Sequence, residues 1–176
     1  MIFQYVRRTL TPLFFFFATL MTITTAQGAV REYWIAAEKM PWNYAPSGKN
    51  LIHEADGLNV WGQTLVYAKY RYIGYTDSSY KKPIEQPEWM GILGPQLRAV
   101  VGDTLKVHFL NKTDKPLSIH PHGVLYDKDN EGADDGKGAS ILPGKSYTYT
   151  WIVDENAGPG PSDPSSIAWL YHSHVM

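Results

Sequence analysis

The sequence predicts an all-β protein, an antiparallel β-sandwich or Greek-key barrel, and three observations lead there. Past residue 30, about six or seven short runs rich in β-branched and aromatic residues are separated by Gly, Pro, Asn and Asp turn signals every ~8–12 residues. Aromatic residues make up 14% of the chain, including 12 Tyr and 6 Trp, and such side chains suit a pleated, half-buried surface. Beyond the N-terminal segment, no stretch carries the 3.6-residue apolar period of an amphipathic helix.

Composition narrows the function. The 176 residues, 44% hydrophobic and 19% charged, suit one globular domain with a buried core. A net charge of −1 offers no basic field for nucleic acid. The chain has no Cys, which excludes disulfides and thiolate ligands. Zinc ribbons, iron–sulfur clusters and Cys-ligated blue copper are therefore ruled out within this chain.

Residues 1–26 read as a secretory signal peptide: Arg7 and Arg8 precede an apolar core from Leu13 to Ile23, which ends in small residues. An uncleaved anchor is the alternative, but the apolar run is short for a bilayer span. The Arg7-Arg8 pair also admits a twin-arginine signal, and the export route stays open. The mature chain is expected to be periplasmic or secreted, with no membrane span after cleavage.

One domain is expected over residues 30–176. Residues 32–38 read as a first strand bounded by Pro41, and 41–63 as a loop in which His53 stands alone without a role. Residues 64–75 form the next strand pattern, and 76–90, with Pro83 and Pro87, a connecting loop. A short strand at 96–101 and a tight turn at Gly102-Asp103 lead into a strand at 104–110, where His108 reads as a packed or surface residue. Asn111-Lys112-Thr113 is a formal glycosylation sequon. The acidic, Gly-rich stretch 126–140 reads as a solvated surface loop, with a Ca²⁺ site as the alternative. A strand at 147–153, a Gly/Pro/Ser/Asp loop at 156–166 and a last strand at 168–171 complete the chain.

Chemistry concentrates in two His-x-His pairs, His120-Pro121-His122 and His172-Ser173-His174. Along a strand, residues i and i+2 share a face, so each pair aims two imidazoles at one spot. Two such strands side by side would converge four. Imidazole is the commonest metal ligand and suits copper, zinc, iron and nickel. Four of the six His fall in these pairs, which makes metal binding the leading reading.

Several further runs resemble the multicopper oxidases, and specifically a ceruloplasmin-like N-terminal cupredoxin domain. They are Pro87-Glu88-Trp89-Met90-Gly91-Ile92-Leu93-Gly94-Pro95, His120-Pro121-His122-Gly123, Asn130-Glu131-Gly132-Ala133, Pro143-Gly144, Ala157-Gly158-Pro159-Gly160-Pro161 and Tyr171-His172-Ser173-His174-Val175. The resemblance covers roughly residues 30–176 and implies a cupredoxin-like Greek-key fold, incomplete at its C-terminal end.

It further implies copper. His120 would hold the type 2 ion of a trinuclear cluster, and His122, His172 and His174 the type 3 pair, completed by a second cupredoxin domain of the same longer chain or of another subunit. The cluster would reduce O₂ to water while Fe(II), Cu(I) or a phenol is oxidised. The type 1 site is absent from this chain, which has no Cys, so this segment alone is expected to be inactive. A periplasmic copper carrier without turnover is the second reading, and a structural module that keeps the fold without the chemistry is the third.

Overall fold

β1 (Val30–Asn43) is the strand to which both neighbours pair. In the computed structural model, which describes residues 28–58 and 64–175, it lies antiparallel to β2 (Val66–Tyr75) and parallel to β3 (Thr104–Asn111). A further strand, β5 (Ser146–Ile152), runs antiparallel to β3, giving the sheet order β2-β1-β3-β5. A separate ladder joins β4 (His120–Pro121) to β6 (Tyr171–His172). The described residues otherwise form loops and 3₁₀ turns, and none of their helices is long and apolar enough to cross a membrane. The segment read as a signal peptide lies outside the described residues.

The all-β expectation holds, with one topological difference: the sheet is mixed. β2 and β3 flank β1 on opposite sides, so the chain between them crosses over, and a crossover of this length permits the parallel β1–β3 pair.

The core follows from strict alternation in β3. Leu105, Val107 and Phe109 point inwards and are buried, while the residues between them are half exposed. Opposite them stand Trp151, Tyr149 and Tyr147 of β5, and Phe109 also faces Ile35 of β1. Ile119, Ile141, Val153 and Ala157 close the other side. Full burial of one such large apolar side chain contributes about 1.5–3 kcal/mol.

Other local expectations meet their physical limits here. β1 runs through Pro41 instead of stopping there. β3 accompanies β1 only as far as Ala37, so Pro41 sits where the strand has a single neighbour and its missing N–H costs no second ladder. Residues 96–101 form no strand. The Arg98 N–H donates to the Tyr33 hydroxyl at 3.0 Å and the Val100 N–H to Asp103 at 2.9 Å, so side chains satisfy this backbone.

The sequon at Asn111 is buried. Its amide donates at 2.7 Å to each of the Lys115 and Ile141 carbonyls, leaving no access for a glycan in the folded chain. In the acidic loop, Lys128 pairs with Glu131 at 2.8 Å and Asp134 at 3.1 Å, and Lys137 pairs with Asp129.

Asp103 ties the start of β1 to the Gly102 turn. It accepts from the Ala29 N–H at 2.8 Å and the Val100 N–H at 2.9 Å, and pairs with the Arg31 guanidinium. The Val100 N–H and then Arg31 stabilise its charged form and lower its pKa from 3.8 to about 2. A depressed carboxylate stabilises the fold above its unfolded pKa and stops doing so as pH falls through the folded value. Thermal midpoints should therefore fall between about pH 4 and pH 2 in the native chain. In Asp103→Asn the midpoint should be lower at neutral pH and flatter across that window; an unchanged acid slope would remove Asp103 from this role.

Candidate metal centre

The site starts from two segments too short to be stable strands alone. β4 follows Ser118 and Ile119, both fully buried. The Ile119 N–H donates to the Tyr149 hydroxyl at 3.1 Å, and the Tyr72 hydroxyl donates to the Ser118 carbonyl. Burial pushes the Tyr72 and Tyr149 hydroxyls well above the usual phenol range, so both stay protonated as anchors.

Antiparallel pairing sets His120 opposite His172 and Pro121 opposite Tyr171. Beyond β4 and β6 the register continues through isolated bonds. The His122 N–H donates to the Leu170 carbonyl at 2.9 Å, and the His174 N–H to the Ser118 hydroxyl at 3.0 Å. In return the Ser118 N–H donates to the Ser173 hydroxyl at 3.2 Å. Directly opposed and alternate residues of an antiparallel pair share a face, so the four imidazoles gather on one side.

His120 is the central ring. Its centroid lies 5.1 Å from that of His122, 5.5 Å from His172 and 5.3 Å from His174. It is half-buried, whereas the other three are exposed. Ligand atoms of His120, His122 and His172 lie within 4.8 Å of one another. The ring of His174 packs at the margin of this group, 6.0 Å from that of His172.

Hydrogen bonds assign the tautomers. A carbonyl only accepts, so His120 Nδ1–H donates to the Glu131 carbonyl at 2.7 Å, and His172 Nδ1–H to the Ser173 carbonyl at 3.0 Å. In neutral rings this leaves both Nε2 atoms with lone pairs. His122 Nε2 sits 3.0 Å from His172 Nε2 and must donate to it. Two nitrogens about 2.0–2.1 Å from one ion, at angles of about 90–109°, would stand about 2.9–3.4 Å apart. The proton between His122 and His172 thus occupies the position of an ion, and ligand binding to metal displaces such protons.

Two glycines allow the chain to reach this arrangement. Gly123 has φ +71°, and a Cβ there would lie 2.1 Å from the Trp169 indole, which itself donates to the Ala157 carbonyl at 3.0 Å. Gly132 has φ +72°, and its Cβ would lie 2.0 Å from the Ile119 carbonyl oxygen. That close seat brings the Glu131 carbonyl onto His120. Next to His122 an open groove of about 440 Å³ is lined by apolar residues, among them Trp89, Leu93, Trp169 and Leu170.

The structure thus gathers all four residues of the His-x-His pairs. His108 lies elsewhere: it stacks on Trp34 at 5.3 Å and bonds Thr148 at 2.9 Å. His53 stands before the 3₁₀ turn Glu54–Asp56. Sequence reasoning gave no role to Ser118, Ser173, Asn130 or the Glu131 carbonyl. A main-chain acceptor has no residue signature, and the run Asn130-Glu131-Gly132-Ala133 signalled the place without the role.

Residues 90–176 match a family model described as multicopper oxidase. The chain is 39% identical over 176 residues to mouse hephaestin, covering 89% of this chain and 15% of that protein. It is 42% identical over 168 residues to mouse ferroxidase HEPHL1, covering 84% of this chain and 14% of that one. The chain therefore spans about 15% of the length of these relatives. Among solved structures, a multi-copper oxidase from Pseudomonas thermotolerans superposes with a TM-score of 0.52 at 21% identity, over 84% of this chain and 26% of that one, a likeness of fold.

The tight seat of Gly132 is testable without any metal. Gly132→Ala places a side chain at φ +72° against the Ile119 carbonyl. The conformation alone should cost about 1–3 kcal/mol. It would be read as a lower urea midpoint of the full chain; a midpoint equal to the native one would show that the loop does not press on β4.

Proposed function

The chain belongs to the multicopper oxidase family, and from that we propose that it is the N-terminal copper-binding domain, residues 30–176, of an exported oxidase. In this reading His120 holds type 2 copper, and His122, His172 and His174 hold the type 3 pair, as this domain's half of a trinuclear cluster. The observation that carries it is the convergence of His120, His122 and His172, with His122 and His172 spaced to share one ion.

The donor set suits copper: imidazoles gathered within 4.8 Å, with the Nδ1–H groups of His120 and His172 held by carbonyls and their Nε2 atoms left to meet an ion. Bound there, copper supplies one-electron redox steps through which O₂ is reduced to water at the expense of a reducing substrate. The protein's share is to orient the rings and keep their outward protons fixed. Because the chain has no Cys, the type 1 copper that feeds electrons belongs to another part of the complete protein.

The exposed His rings and the exposed Trp89, Trp169 and Leu170 beside them support a second cupredoxin domain closing over this face. Fe(II) is the proposed substrate, since a close relative carries the name ferroxidase; Cu(I) and phenols follow it. Residues 1–26 would direct export to the periplasm or the exterior.

In the complete, copper-loaded protein, His122→Ala or His174→Ala should drop O₂ uptake to the buffer background while the blue type 1 absorption persists. His53→Ala and His108→Ala should leave uptake near the native rate. Survival of O₂ uptake in both cluster variants would sink the assignment. Tight copper binding by the native protein with no O₂ uptake for any of the three reductants would point to the carrier.

A further inference from the structure

His120 is the ring that touches the other three, yet its own orientation rests on one acceptor, the Glu131 carbonyl 2.7 Å from Nδ1. That carbonyl belongs to a surface loop, so something must hold the loop still. Asn130 does so with each of its four polar groups. Its N–H donates to the Asp127 carboxylate at 3.0 Å and its side-chain amide to the same oxygen at 2.7 Å. Its side-chain oxygen accepts from the Thr150 N–H at 2.8 Å, and its carbonyl accepts from the Trp151 indole at 2.9 Å.

Thr150 and Trp151 lie in β5, one of the two outer strands of the four-stranded sheet. The same strand anchors the other side of the ring, because the Tyr149 hydroxyl accepts from the Ile119 N–H. A closed circuit results: β5 to Asn130, to the Glu131 carbonyl, to His120, to Ile119, to Tyr149 and back to β5. Trp151 is almost fully buried, so this frame is rigid.

We propose that Asn130 is a positioning residue that fixes the Nδ1–H tautomer of His120 and so aims its Nε2 lone pair into the histidine cluster. Without the Asn130 side chain, the Thr150 N–H loses its partner and the loop keeps only main-chain ties to β5, through the Asn130 and Asp129 carbonyls, so the Glu131 carbonyl is held less firmly. His120 is then free to turn and to protonate on Nε2, the atom a metal needs. The copper consequence rests on the function proposed above; the tautomer consequence does not.

The experiment uses the full chain, ¹⁵N-labelled and metal-free, at a pH where imidazoles are neutral, with long-range ¹H–¹⁵N spectra reporting each ring's tautomer. The native His120 should be a single Nδ1–H form. Asn130→Ala should give a mixture of tautomers at His120, while His108, held by Thr148, keeps its native signal as a control on folding. The paired exchange Asp127→Asn with Asn130→Asp keeps one acceptor for Thr150 and one donor between the two side chains, and should restore the single form.

Cu(II) titration of the same proteins should show about 10- to 100-fold weaker binding in Asn130→Ala and recovery in the exchange variant. A single Nδ1–H form of His120 in Asn130→Ala would overturn the proposal, as would failure of the exchange to restore it. A shifted tautomer with unchanged Cu(II) affinity would uphold the positioning role and count against His120 as a copper ligand.

Discussion

The site depends on the pairing of two short segments in one register, His120 opposite His172. Side chains alternate along a strand, so a slip of one residue would turn the His-x-His rings of one segment to the opposite face. The ladder itself holds only two residue pairs, too few to set a register alone. Side chains extend it: the Ser118 hydroxyl receives the His174 N–H, and Ser173 receives the Ser118 N–H. Two serines thus stand in for ladder bonds at the end where the ladder stops.

The rest of the domain serves to hold that register. Tyr72 of β2 and Tyr149 of β5 reach from the large sheet to the backbone at residues 118 and 119, and Tyr171 donates to the Pro95 carbonyl at 2.6 Å. Each hydroxyl does two jobs, filling core volume with its ring and satisfying a buried main-chain group with its oxygen. The four-stranded sheet is rigid through Phe109, Tyr149 and Trp151, and that rigidity passes to the imidazoles through hydrogen bonds rather than through shared strands.

The placement of the rings suits a divided centre. His120 is half-buried and supported from behind, while His122, His172 and His174 are exposed, His122 beside an apolar groove. A site at the edge of one domain can be shut off from water only by a second surface, the role proposed above for a second cupredoxin domain.

Much of this was legible in the sequence. Alternating runs and turn residues determined an all-β fold, the His-x-His spacing determined which rings share a face, and the lack of Cys determined which ligands were unavailable. Local periodicity carries that information because it is a property of neighbouring residues. It could not reveal the parallel β1–β3 pair, the strandless course of residues 96–101, or the burial of Asn111. Nor could it assign the tautomers, since the acceptor of His120 is a main-chain oxygen 11 residues away, next to Gly132 and to Asn130, which bonds Thr150 of β5. The sequence by itself determined the four candidate ligands and the alternation that sets them on one face. Only the tertiary structure decided that Nε2 is the free nitrogen of His120, because that depends on a partner brought near by the fold and not by order along the chain.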